Sequence, residues 1–283
     1  MTTLIERLHS ERAFGLLLVA PALALVTALF LVPLGYSVAS AFTTPEGLGL
    51  ANFVKAFELY SGDVVYTIFI VVTSTVLTGL AATAIAGYLT MGETHWLLTG
   101  LAWLYRWPLF IPFIVAAQCM RTFLAKNGLA NNTLVASGLI DAADTVSLLD
   151  WRGVIITFVW KQAPFVALLL AGAMASIDRA TIEAARNLGA GRLRCLIEIV
   201  LPQVMPTLMV GLILSFVTML SVLSVPLMVA GSQPTMLTVD MAFRINAYGD
   251  YPVANALGVV SYLMTAIVAW FYLRYTVRER GVT

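Results

Sequence analysis

The chain has 283 residues, of which 60% are hydrophobic and only 11% charged, with a formal net charge of +1. A soluble domain carries about 25% charged residues, so these few cannot cover a water-facing surface, and the composition indicates a polytopic membrane protein. The near-zero net charge gives no basis for nucleic-acid binding. The two cysteines, Cys119 and Cys195, fall in or beside different apolar runs, and a disulfide between them is not expected.

Residues 1–12 are polar, and Arg7 and Arg12 precede the first apolar run. The positive-inside bias puts this end in the cytoplasm. The run from Ala13 is too long for a signal peptide and lacks a cleavage site, so it reads as a permanent span over 13–41, with Pro21 and Pro33 inside it. An external loop follows over 42–62. It has a turn at Thr43 to Gly47 and a short amphipathic helix expected over 52–60. The second span, about 64–89, is rich in Thr, Ser, Ala and Gly, which favours close helix packing in a bilayer. A short turn without Lys or Arg, 91–100, leads to a third span over 101–124, which holds Pro108 and Pro112. Residues 126–151 read as an external polar segment. The fourth span is expected over 154–176, the fifth over 204–230 and the sixth over 253–272, with 231–251 external. Each has roughly the 20 residues a bilayer requires. Asp141, Asp144, Asp150, Asp240 and Asp250 in the outer segments read as a solvated docking surface, with attraction of cations as the alternative. The basic tail over 273–283 places the C-terminus, like the N-terminus, in the cytoplasm.

Between spans four and five lies a polar island over 178–202, with Arg179, Arg186, Arg192 and Arg194. Four arginines cannot sit in hydrocarbon, so this loop faces the cytoplasm. Asp178 is placed to cap a short helix starting at Arg179, and Gly189 to end it. A second short helix is expected over 192–200, facing the membrane through Leu193, Leu196, Ile197 and Val200, with Pro202 and Pro206 marking re-entry into the fifth span.

The pattern Glu183-Ala184-Ala185, three residues, Gly189, nine residues, Ile199, one residue, Leu201-Pro202 resembles the EAA motif of permease subunits of binding-protein-dependent ABC importers. The six-span frame with this loop between spans four and five resembles that family too. The resemblance implies an all-α membrane protein with the six transmembrane helices of the type I ABC importer permease fold over 13–272. It implies a cytoplasmic coupling helix between helices 4 and 5 and a site in the bacterial inner membrane. It also implies that Glu183, Ala184, Ala185, Arg186, Gly189 and Arg179 meet a cytoplasmic ABC ATPase dimer, which would bind the ATP and Mg. The chain itself has no Walker-type Gly-rich run and is expected to bind no cofactor or metal and to be no enzyme on its own. The further partners implied are a second permease subunit (a distinct paralogue), an extracytoplasmic solute-binding protein and membrane lipid.

The solute is less legible. Leu188 stands where sugar-type members of the family carry Asp, which looks more like permeases for polyamines, phosphonates, iron or oxyanions; a sugar or glycerol-phosphate importer is the alternative. Polar residues inside spans are the pathway candidates, because burying them is costly unless they line a cavity or pair. They are Gln118 and Arg121 in span three, Trp160, Lys161 and Gln162 in span four, and Ser215, Thr218, Ser221 and Ser224, which recur at three-residue steps in span five. The other reading of the serines is interhelical packing; that of Lys161 and Arg121 is snorkelling or contact with the binding protein. Two inward-facing cations would suit an anionic solute such as a phosphonate and repel a polyamine. A membrane enzyme would need a carboxylate pair or His within a span, and a secondary transporter an acid at midspan; neither is present.

Overall fold

The structure, a computed structural model, describes residues 17–92, 95–230 and 234–280, with only the backbone for His95 and for 275–280. The expected cytoplasmic N-terminal segment, and the last residues and side chains of the basic tail, lie outside the described residues. The described chain is almost wholly helical. Five helices are long and apolar enough to cross a membrane, or six if one sharply bent pair counts as a single span.

Helix α1 runs over Leu17–Phe42. A π-helical turn at Thr27–Leu31 precedes Pro33, so the widened backbone stands where the proline removes a donor. A two-residue hairpin pairs Thr43 with Leu48. Helix α2 then extends unbroken over Ala51–Met91. The short amphipathic helix expected over 52–60 is therefore the first part of α2. Gly62 is the weakest helix former at the expected junction, and a single Gly costs only about 1 kcal/mol.

The third span departs most from expectation. Helix α3, His95–Leu104, and the 3-10 turn Trp107–Phe110 are separated from α4, Phe113–Leu124, and α5, Leu129–Ala136, by a bend of 112°. Pro108 and Pro112 supply no N–H, and Ile111 and Pro112 take extended conformations. This break would strand carbonyls inside the protein. The Lys161 ammonium, 7% exposed, donates to the carbonyl oxygens of Pro108 and Leu109 and lies 5.2 Å from the Phe113 ring centre.

Helix α6, Trp151–Ala175, is capped by Asp150, whose carboxylate accepts from the Arg152 N–H and pairs with its guanidinium at 2.7 Å. Helix α7 is Arg179–Asn187. Helix α8 runs over Arg192–Ser221. The separate loop helix expected over 192–200 is the first part of α8. A π-helical turn over Leu196–Val200 carries the backbone through Pro202, whose missing donor would otherwise break it. At its far end α8 stops at Ser221, where Val222 is extended, and a short helix α9, Ser224–Val229, follows. The expected polar outer segment then holds helix α10, Leu237–Tyr248, before α11, Tyr251–Arg280.

Two compact units result. In the first, residues 17–59 and 243–260, Ser37 donates to Asn255 at 2.8 Å, and Asp250 pairs with Lys55 at 2.7 Å and Arg244 at 3.5 Å. The second holds α3–α9 with most of α2, the start of α10 and the later part of α11, around two apolar cores. One joins Ile70, Val71, Phe158, Phe216 and Met219; the other joins Ala82, Ala86, Val166, Leu170, Val204 and Leu208. Since the start of α6 meets the end of α8, and the reverse, these helices are antiparallel. Asp63 and Thr67 of α2 accept the N–H groups of Thr235 and Leu237 at 2.8 and 3.0 Å, and the buried Asp240 accepts from the Thr235 hydroxyl at 3.0 Å. Asp240 and Asp250 are thus paired parts of the frame, and Asp150 is a helix cap. Of the five aspartates read as a solvated surface, only Asp141 and Asp144 are exposed.

Replacing Lys161 with Met keeps the stem and removes the donor, leaving the Pro108 and Leu109 carbonyls unpaired. A loss of about 1–3 kcal/mol is expected, read as a lower unfolding temperature in detergent, with Lys161→Arg retaining more stability than Lys161→Met. For Asp250, burial raises the carboxyl, but the hydrogen bonds from Lys55 and the Val253 N–H, with the charges of Lys55 and Arg244, outweigh it and hold it below its ordinary 3.8. A depressed carboxylate contributes stability above the unfolded value and loses it as pH falls through the folded one. Wild type should therefore lose stability as pH drops below 3.8 more steeply than Asp250→Asn, as acid titration of unfolding would record.

Candidate functional site

Helix α7 is built by local signals at both ends. Asp178 accepts from the Ala180 N–H at 2.9 Å, satisfying one of the first-turn donors. At the other end the Gly189 N–H donates to Arg186 O at 2.9 Å and the Ala190 N–H to Ala185 O at 3.0 Å, with Gly189 at φ +88°. This is the Schellman arrangement, and the left-handed backbone explains the glycine. Arg179, Glu183, Ala184 and Arg186 are exposed and Ala185 is half-buried. Leu188 is 90% exposed, an apolar knob at the turn. Arg179, Glu183 and Arg186 rim a cavity of about 560 Å³ between α7 and the ends of α2 and α6. All six residues expected to meet a partner therefore lie on one helix-and-turn that projects from the bundle.

The pathway candidates are not brought together. Gln118 and Arg121 of α4 are exposed, and Trp160 is half-buried. Lys161 is held at the third-span break, neither snorkelling nor open to a solute. The three-residue repeat in α8 does not make one face. A step of three falls about 60° short of a full turn, so Ser215 points into the core while Ser221 is exposed. Thr218 and Ser221 donate to the carbonyls of Leu214 and Val217 within the helix, and Ser224 lies beyond the break at Val222.

A different polar set emerges. Ser74, Thr78, Gln162 and Ser215 are buried, and the Ser74, Thr78 and Ser215 hydroxyls and the Gln162 amide nitrogen have no hydrogen-bond partner. On α2 the pair lies between Val71 and Ala82. Gln162 lies between Phe158 and Val166, and Ser215 between Leu208 and Phe216. Each helix thus changes from one apolar core to the other at these residues. The helices approach closely here: a Cβ on Gly79 would lie 3.3 Å from Leu212, and one on Gly211 would lie 3.3 Å from Val166. Sequence reading placed Gln162 and Ser215 among the pathway candidates, and Ser74 and Thr78 only among the small residues of a closely packed second span. It missed the Asp63–Thr67 cap. Among the described residues no group of three His, Cys, Asp or Glu could hold a metal ion.

Residues 63–278 match the family described as binding-protein-dependent transport system inner membrane component. The chain is 29% identical to the sulfoquinovosyl glycerol transport system permease protein of Agrobacterium fabrum, over 93% of this chain and 90% of that one. It is 24% identical to the spermidine/putrescine transport system permease protein of Escherichia coli, over 59% of this chain and 62% of that one. It is 28% identical to the trehalose/maltose transport system permease protein of Thermococcus litoralis, over 59% and 58%. In fold it is similar to a chain of a bacterial ABC transporter that imports the acidic polysaccharide alginate, with a TM-score of 0.76 at 23% identity, over 96% of this chain and 99% of that one. A chain of the MetNI methionine ABC transporter gives a TM-score of 0.59 at 19% identity, over 80% and 97%. The chain belongs to the inner membrane components of binding-protein-dependent transport systems, the permease subunits of ABC importers.

Proposed function

We propose that α7 is the coupling helix of this permease, seated in a cleft of a cytoplasmic ATPase subunit that binds ATP and Mg, with both chain termini on the same side as the loop. The observation that carries the reading is the projecting helix itself. Asp178 and Gly189 fix its ends, its outer face offers small residues at Ala184 and Ala185, and charges flank them at Arg179, Glu183 and Arg186. A second, distinct permease subunit completes the pathway, and an extracytoplasmic binding protein delivers the solute. A similar alginate transporter is described in complex with its periplasmic protein, which supports that partner.

The solute we favour is a small hydroxylated, glycoside-type compound. The A. fabrum relative, which matches over most of both chains, is named for sulfoquinovosyl glycerol, and the T. litoralis relative for trehalose and maltose. The exposed Arg121 suits an added negative charge, whereas Lys161, engaged at the third-span break, adds no cation to the pathway. The polyamine reading keeps the support of the spermidine/putrescine relatives and of Leu188 in the loop. Phosphonate, iron and oxyanion solutes rest on Leu188, and for an anion on Arg121.

The test is co-purification with the genomically neighbouring ATPase. Glu183→Lys should strip the ATPase subunit or abolish stimulation of ATP hydrolysis by the loaded binding protein. Retention of both would sink the coupling role. The same assay with binding protein loaded from a panel of glycosides and polyamines assigns the solute class.

A further inference from the structure

We infer that the chain carries a site for an anionic phospholipid at the root of the loop, with the phosphate headgroup held at Arg192 and an acyl chain in an adjoining groove. Two cavities meet there. The larger, about 560 Å³, is lined among the described residues by Arg179, Arg186 and Arg192 and by the acid Glu183. Its other walls include Met91, Met174, Ile177 and Ile182. The smaller, about 260 Å³, runs between one face of α2, formed by Ala84, Gly87, Tyr88 and Met91, and Leu193 and Leu196 of α8. Met91, Gly92 and Arg192 line both.

The combination fits an amphiphile. A guanidinium presents planar paired donors to phosphate oxygens, and Arg192 stands where the polar cavity meets the apolar one. The smaller cavity is walled by apolar side chains apart from Arg192 and the Tyr88 hydroxyl, and small residues on α2 help keep it open. Leu196 lies so close that a Cβ on Gly87 would fall 2.8 Å from its methyl carbon. A diffusible phosphate would need only the first cavity; a lipid uses both, with Arg192 at the junction. Arg186 and Arg192 also interact within the chain, so the headgroup joins an existing charge network. The inference rests on the reading that the loop lies on the cytoplasmic side, where anionic leaflet lipids gather and basic pockets between spans bind their headgroups.

The test uses the full chain with its transport partners, reconstituted in phosphatidylcholine nanodiscs with or without phosphatidylglycerol. The lipid kept through detergent re-purification is read by mass spectrometry. Wild type should retain phosphatidylglycerol over phosphatidylcholine. Arg192→Gln should lower that retention roughly fivefold, the factor that about 1 kcal/mol per arginine near the surface corresponds to. Ala84→Leu, which fills the groove and leaves every charge in place, should lower it too, with helicity by circular dichroism as the folding control. Unchanged retention in the folded variants overturns the site. So does complete displacement of the lipid by inorganic phosphate with no effect of Ala84→Leu, which would make it a site for a soluble anion. Retention is read on the permease itself, so the lipid result stands or falls separately from loss of the ATPase in Glu183→Lys.

Discussion

A helix that breaks inside an apolar bundle exposes carbonyls that hydrocarbon cannot satisfy, and every such group costs several kcal/mol unless the protein supplies a donor. The third span of this permease breaks by 112° between two prolines. Lys161 supplies the donor from across the bundle, with its charge spread over two carbonyls and the Phe113 ring. The bend is thereby tied to α6, the helix that leads directly into the loop. An amine that would be expensive alone in this setting becomes the condition for a non-helical segment at this place.

The same constraint shapes the rest. Asp150, Asp178 and Thr67 each accept a backbone N–H at a helix start. Gly189 closes the other end of α7 through its positive φ. Donors left over at Ser74, Thr78, Gln162 and Ser215 lie where each of three helices passes from one apolar core to the other. With no hydrogen bond fixed at these groups, they do not lock the helices to one another. The apolar cores on either side offer no such freedom, since close-packed side chains resist sliding.

Much of this was legible in the sequence, and what was missed has a common cause. Apolar runs located the spans because length and hydropathy are local properties. The loop helix was legible down to its cap and its glycine for the same reason, since Asp178 and Gly189 act on neighbouring residues. The division of α8 and α2 into separate pieces failed because Pro202 and Gly62 are breakers only on average. A π turn absorbs the first, and a long helix tolerates the second. Lys161 was misjudged because its partners are more than fifty residues away, and Asp240 because burial depends on Asp63 and Thr67 of a distant helix. The serine stripe failed on arithmetic: a period of three is not the helical period, so the repeat winds around α8.

The continuity of α8 from Arg192 to Ser221 has a mechanical consequence. Thirty residues of helix form a rod roughly 45 Å long. A tilt of about 10° applied at the loop end sweeps the far end through roughly 8 Å, given the same rise per residue. A hinge at Pro202 would have absorbed that tilt near its origin. Because the π turn carries the helix past Pro202 without interrupting it, a small rotation beside the loop would reach the opposite end as a displacement on the scale of a solute.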